Sequence, residues 1–501
     1  MKKLHSSIFM FIFFLLLEVF FLASSIFLIP LSSYDESWVF ANIYKIYNGN
    51  PIYITSNIID TPIFFLIGNL FFHIFGDNIL TLKIYNAVIF LLKYILTFAL
   101  FRKFNVNKSL SALYTTVFII FDFSNILGEA SYNMLAIDFI LVGIILGTGT
   151  VLNGDGPKIQ KKHFIYNLLQ GFIIFLVFFT KQTLGIYYAI GIVAYELINY
   201  KFSKKFFISQ LTKLLTFLPC LLISCLVMFF KGNLSEFINL CFGSILEFGS
   251  SNKMFEKSNI SFLVFMLFTL CISIYILVKV KNLPEYARKN IKFLLCISVS
   301  LSLNMYPLIN RYHVTMCLLF YYILFIYIIH SLLLCDFIKS KHTNLIILTL
   351  FLILYFYYVH AGYTFLKQDK NKIFTFEKDS PFYGTYIDKV SYLQMNTISN
   401  YISFKKQQGT KVLVLSNEAA VYMVPLNINN GEFDMLLSGN LGYNGVQNTI
   451  DKISKMHNTE FLIFTDEEDC FYQEPKEIRE YIMNNYQEIG KLYNYSIYTT
   501  D

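Results

Sequence analysis

The sequence predicts a polytopic α-helical membrane protein that ends in a small α/β domain. Three observations carry this expectation. Apolar residues make up 55% of the 501 positions and charged residues 15%, whereas a soluble chain is about one quarter charged. Apolar runs such as Ile8–Leu31 exceed the roughly 20 residues that cross a hydrocarbon core of about 30 Å. Beyond about residue 361 the long runs give way to short apolar segments broken by turn residues.

The apolar runs place spans near 8–31, 85–101, 109–127, 134–152, 164–180, 184–199, 214–230, 259–279, 293–306, 313–334 and 344–360, about eleven crossings. The basic loops alternate accordingly. Arg102/Lys103/Lys108, Lys158/Lys161/Lys162, Lys201/Lys204/Lys205/Lys213, Lys279/Lys281/Arg288/Lys289/Lys292 and Lys339/Lys341 share a side with Lys2 and Lys3, and that side is cytoplasmic by the positive-inside rule. The run Ile63–Phe75 is too short to span and reads as interfacial or re-entrant. Phe164–Asn199 is too long for one span and must cross twice, with Lys181 at the outer turn. The apolar stretch after Lys3 is too long for a signal peptide and reads as a retained span. An odd number of spans puts the C-terminus outside.

The chain therefore divides into a transmembrane unit, 1–360, with a first outer loop at 32–84, and an extracytoplasmic α/β domain, 361–501. In the latter, Lys411–Leu415, Glu460–Phe464 and Tyr493–Thr499 read as strands and Pro475–Tyr486 as a helix. Neither Ser438-Gly-Asn-Leu-Gly442 nor another Gly cluster fits a phosphate-binding loop. The net charge of +7 collects in the short loops, which excludes nucleic acid as the partner it serves and leaves membrane lipids. The eight Cys residues fall mostly in apolar runs and form no CxxC pair, so they read as small buried hydrophobes.

With the topology assigned, the outer polar residues form a set. Directly after the first span comes Ser33-Tyr-Asp-Glu-Ser-Trp38. Structurally this is an acidic helix start with Tyr34 and Trp38 as interfacial anchors; functionally it is a pair of carboxylates at a membrane surface. The loop continues through Asn48-Gly49-Asn-Pro51-Ile-Tyr53 and Asp60-Thr61-Pro62 to the interfacial run. This order resembles the first extracytoplasmic loop of the GT-C class of polyprenol-phosphate-dependent glycosyltransferases. The pattern is most similar to family 39, the protein O-mannosyltransferase and lipid A aminoarabinose transferase group. The match covers the order of elements over about 360 residues, through short local motifs.

The resemblance implies a GT-C-like bundle in a bacterial cytoplasmic membrane and a polyprenyl-phosphate-linked sugar as donor. It implies a cell-envelope glycan, lipid or protein as acceptor, with no nucleotide sugar and no obligatory metal. It directs attention to Glu129-Ala-Ser-Tyr132-Asn133 as part of a substrate pocket, to Thr180-Lys181 at an outer helix end, and to Tyr306-Pro-Leu-Ile-Asn-Arg311-Tyr-His313. Lys181, Arg311 and His313 offer cations suited to a lipid phosphate. Asp35 is the expected general base and Glu36 its supporting carboxylate. Asp138 and Asp122, near outer span ends, read as lining the same cavity, and intramembrane Glu18, Lys93 and Glu196 have no assigned role. His73 reads as structural, and the loop 231–258, with Glu247 and Lys253, as a lid. No required cofactor and no His/Asp cluster demanding a metal is read; a divalent metal is left open but not indicated. The rival class is a transporter or lipid-linked sugar flippase. It accounts for the spans and buried charges, but not for the acidic outer loop or the appended domain, and no inverted repeat supports it.

Overall fold

Long apolar runs must satisfy every backbone polar group internally, and a helix does this within one segment. In the computed structural model each expected span from 85–101 to 313–334 falls on a helix. Residues 34–123, 131–150, 157–244, 254–334, 373–428, 430–466 and 473–500 are described, together with Pro30, Leu31, Cys470 and scattered positions of the first apolar run. The expected spans 344–360 and, for the most part, 8–31 lie outside the described residues, as do Glu18, Glu129, Glu247, Lys253 and the side chains of Asp122 and Arg311.

The first loop holds α1 (Asp35–Tyr47) and α2 (Ile63–Phe75). The bundle follows as α3 (Ile79–Lys103), α4 (Lys108–Phe123), α5 (Tyr132–Thr150), α6 (Pro157–Phe178), α7 (Gln182–Tyr200) and α8 (Lys204–Phe230). It closes with α9 (Ile260–Lys279), α10 (Glu285–Leu301) and α11 (Arg311–Leu334). Among the described residues, four helices are long and apolar enough to cross a membrane: Ile79–Lys103, Lys204–Phe230, Lys257–Lys279 and Tyr312–Leu332. Their surroundings differ. The most apolar window of the last is 83% buried, that of the second only 11%. On α8, Leu211, Leu215, Leu218, Leu222 and Phe229 are exposed, an apolar surface that water does not tolerate and lipid does.

Local chemistry sets the helix ends. Asn78 caps α3 by accepting from the Thr81 N–H at 3.1 Å, and Arg102 and Lys103 sit at its negative C-terminal end. Helices α6 and α8 approach closely at Gly171, where a Cβ would lie 2.2 Å from the Lys213 carbonyl oxygen; only a small residue permits that approach. Helix α2 is 13 residues long and two-faced. Phe64, Phe65, Gly68 and Phe72 are buried, while Leu66, Leu70 and Ile74 are 49%, 55% and 61% exposed. An exposed apolar stripe at i, i+4 and i+8 is what a helix lying on a membrane surface presents.

The helix on the expected span near 293–306 stops short of the expected end. Helix α10 ends at Leu301, and a short turn then carries Pro307 into β2 (Leu308–Ile309). That strand pairs in parallel with β1 (Met254–Phe255) before α11 begins. Pro307 thus joins two helices and interrupts neither.

In the C-terminal region, β3 (Ile373–Thr375) pairs antiparallel with β4 (Tyr386–Asp388). Then come α12 (Lys389–Gln407), β5 (Lys411–Val414), α13 (Gly445–Ile453), β6 (Thr459–Phe464), α14 (Lys476–Asn485), β7 (Gln487–Leu492) and β8 (Tyr495–Thr499). The sheet order is β5-β6-β8-β7, with only β5 and β6 parallel. All of β6 is buried. The edge strand β7 is mostly exposed and polar, and for that reason it was not legible as a strand.

This region is docked on the first loop. Lys45 pairs with Asp434, and its ammonium also donates to the Thr55 and Gly431 carbonyls at 2.8 and 3.0 Å. The Leu31 N–H donates to Tyr386 O at 2.8 Å, and the Phe40 and Phe382 rings sit 5.9 Å apart.

Candidate functional site

Successive residues of a helix point about 100° apart, so the two carboxylates at the start of α1 have different surroundings. Glu36 is buried, 3.9 Å from the Lys83 ammonium, which also donates to Thr385 at 3.0 Å. Its side chain faces the packed interior. Asp35 is open to solvent, although protein packs densely round it. That surrounding protein raises its pKa above the ordinary carboxylate value by desolvation. Trp38 is no surface anchor either. It is 3% exposed, and its indole N–H donates to Asn57 Oδ1 at 2.8 Å, while Asn57 donates to the Met435 carbonyl at 2.6 Å.

The loop after α1 delivers a residue to which the sequence assigned no role. Asp60 is fully buried, and its Oδ1 accepts from the Lys181 ammonium at 2.6 Å. Backbone stitching sets this meeting. Thr61 donates to Phe178 O at 2.7 Å, and the Ile63 N–H to Phe179 O at 3.0 Å. Gln182 donates to Ile59 O at 2.9 Å and to Cys241 O at 2.8 Å. The turn between α6 and α7 is thereby sewn to the first loop, with Lys181 in the seam. Burial raises the pKa of Asp60, against the opposing pull of Lys181 and of a hydrogen bond from Tyr132. The Lys181 ammonium also lies 4.6 Å from the Tyr132 ring centre, a favourable cation–π geometry.

Tyr132 and Asn133 open α5, and they link this seam to α11. Asn133 donates to the Tyr312 hydroxyl at 3.2 Å, and Ser131 shares a hydrogen bond with the same hydroxyl. Tyr132 lies within electrostatic reach of Asp35 and Tyr312, and His313 within reach of Lys181. Asn310 orients His313, accepting from its backbone N–H at 3.0 Å and pairing with its ring Nδ1 at 2.8 Å. Asp138 is fully buried, deeper along α5 and within reach of Tyr85.

Lys181, Tyr132, Asn133 and Tyr312, the neighbour of His313, are thus linked at one end of the bundle, with Asp35 within electrostatic reach of Tyr132; they come from four segments far apart in sequence. Asp60, Tyr312 and Asn310 are the members that sequence reasoning missed. The available signal for Asp60 was a further acidic residue in the same loop, before a Pro that starts a short helix. Among the described residues, no group of three or more His, Cys, Asp or Glu is arranged to hold a metal ion.

No family model matches the chain, and no curated protein matches it. Solved structures do. The chain is similar over 90% of its length to 68% of the Archaeoglobus fulgidus oligosaccharyltransferase in complex with Zn and sulfate, at 11% identity and a TM-score of 0.49. It is similar over 97% of both chains to ArnT from Cupriavidus metallidurans bound to undecaprenyl phosphate, at 9% identity and a TM-score of 0.45. For ArnT in the apo state the coverage and identity are the same and the TM-score is 0.46.

Proposed function

We propose that the protein transfers a sugar from a polyprenyl-phosphate donor to an acceptor hydroxyl at the outer face of the bacterial cytoplasmic membrane. One observation carries the reading. An open carboxylate, Asp35, lies in the same polar cluster as a cation, Lys181, that is held in place by a buried carboxylate. The donor's leaving group is a phosphate, which departs as an anion and needs charge stabilisation more than a proton. Lys181 has three N–H donors, and its ion pair with Asp60 occupies one; the others serve the phosphate. His313, fixed by Asn310, stands on the same side, and Arg311 opens the same helix. The acceptor oxygen attacks the anomeric carbon as its proton passes to Asp35. The bond from that carbon to the phosphate oxygen breaks, and polyprenyl phosphate leaves with the electron pair. A single in-line displacement inverts the anomeric centre. The reading calls for no cofactor and no resident metal.

The test is Asp35→Asn, assayed with membrane extract carrying labelled lipid-linked sugar. Transfer should fall by about two orders of magnitude, with polyprenyl-phosphate binding retained because the phosphate is held by other residues. Full transfer by Asp35→Asn would remove the proposed base. Loss of transfer together with lipid binding would move Asp35 into the donor site.

A further inference from the structure

A cavity of about 560 Å³ lies in the C-terminal region at the carboxyl ends of the parallel strands β5 and β6, where open α/β sheets bind ligands. Its volume falls within the range of small-molecule sites. Leu415, Leu436, Ile463, Phe464 and Met483 supply an apolar lining, and Cys470, Glu474 and Arg479 supply polar groups. These polar groups are held in place. Glu474 accepts from the Asn417 N–H at 2.9 Å, and the Cys470 thiol donates to the Asp466 carbonyl at 3.6 Å. The Arg479 guanidinium donates to Thr465 O at 2.8 Å and to Cys470 Sγ at 3.4 Å. Its Nε is buried and makes no hydrogen bond among the described residues. A buried donor left without an acceptor is costly, and a ligand acceptor would remove that cost.

Burial pushes the Glu474 carboxyl up to about 8, with Glu418 adding to the shift and Arg479 opposing it. Glu474 is therefore largely neutral at pH 7 and able to donate a hydrogen bond. Tyr34 lies within its electrostatic reach. Lys476 and Glu480 are exposed and oppose each other in sign. Apart from the exposed Lys476, Arg479 is the cation among the residues that line the cavity.

We propose that this cavity binds a compact amphiphilic anion, with an apolar body against the β5–β6 strand ends and a carboxylate or phosphate on Arg479. The proposal is independent of the sugar-transfer reading. It is tested by equilibrium dialysis of the full chain in lipid nanodiscs, with empty nanodiscs as the blank. The probes are labelled 4-phenylbutyrate, phenyl phosphate and the neutral 4-phenylbutanol. One saturable site is expected for at least one anion, and weaker binding of the alcohol by about tenfold or more. Which anion binds distinguishes a carboxylate ligand from a phosphate one. Arg479→Gln should weaken the anion by about tenfold or more and leave the alcohol unchanged. Met483→Trp, which narrows the cavity without touching its polar groups, should weaken all three. No saturable binding of either anion, equal binding of the alcohol, or undiminished anion binding in both variants would overturn the proposal.

Discussion

Adjacent residues of one type can face opposite environments, and Asp35 and Glu36 illustrate this. The pair was legible in the sequence; the division of labour within it was not, because helix phase assigns a direction only once the packed face is known. Glu474 makes the same point in the C-terminal region, where sequence offered nothing to separate it from the acidic residues around it. Its folded-state pKa of about 8 stands above the ordinary 4.5. Between those values the folded chain holds a proton that the unfolded chain has released, so this group's contribution to stability falls as pH rises from 4.5 through about 8. Glu474→Gln removes that dependence. Its melting temperature should match the parent's near the acid end of the window and exceed it above about pH 8. Thermal melts of both proteins across the window check this, and a constant difference at all pH values would contradict the assignment.

At the scale of elements, the turn between α6 and α7 was expected as an outer turn carrying Lys181. What it touches was hidden, because its partner Asp60 lies 121 positions away in sequence. If the pair acts as a positioned unit, Lys181→Met should destabilise the chain. The cost should fall short of the ~3–5 kcal/mol of a fully buried broken pair, because Asp60 relieves part of it by taking up a proton. Adding Asp60→Asn should recover most of the melting temperature and none of the transfer activity. A double-mutant cycle on stability, run beside the transfer assay, separates a structural pair from a working one. Recovered activity in the double variant would make the pair structural only. The same reasoning explains α2: its length was legible from Ile63–Phe75, but the split into a buried and an exposed face required α1 and α3 to be in place.

For the whole molecule, the basic loops and the exposed apolar surfaces of α8 and α9 support a bundle set in lipid. The proposed topology puts the C-terminal region and the site on the same, outer side. A reporter fused after Asp501 that works only outside the cytoplasm should be active, and one that works only inside should be silent. The opposite result would put Asp35, Lys181 and the β5–β6 cavity on the cytoplasmic face and end the outer-face reading. The docking through Lys45–Asp434 and Phe40–Phe382 ties that region to the first loop, so the two are expected to share one side.

The sequence by itself determined the apolar runs on which the described helices form and the strands β5, β6 and β8, and it offered Asp35, Lys181 and His313 as site candidates. These are local properties: apolar length, charge placement and period-two runs act within a segment and can be read from it. Only the tertiary structure decided that Glu36 turns inward, that Asp60 holds Lys181, that Tyr312 joins α5 to α11, and that a cavity opens beside Arg479. Each of these depends on contacts between segments far apart in the chain, and their register is set by the packing of the assembled core rather than by any local preference.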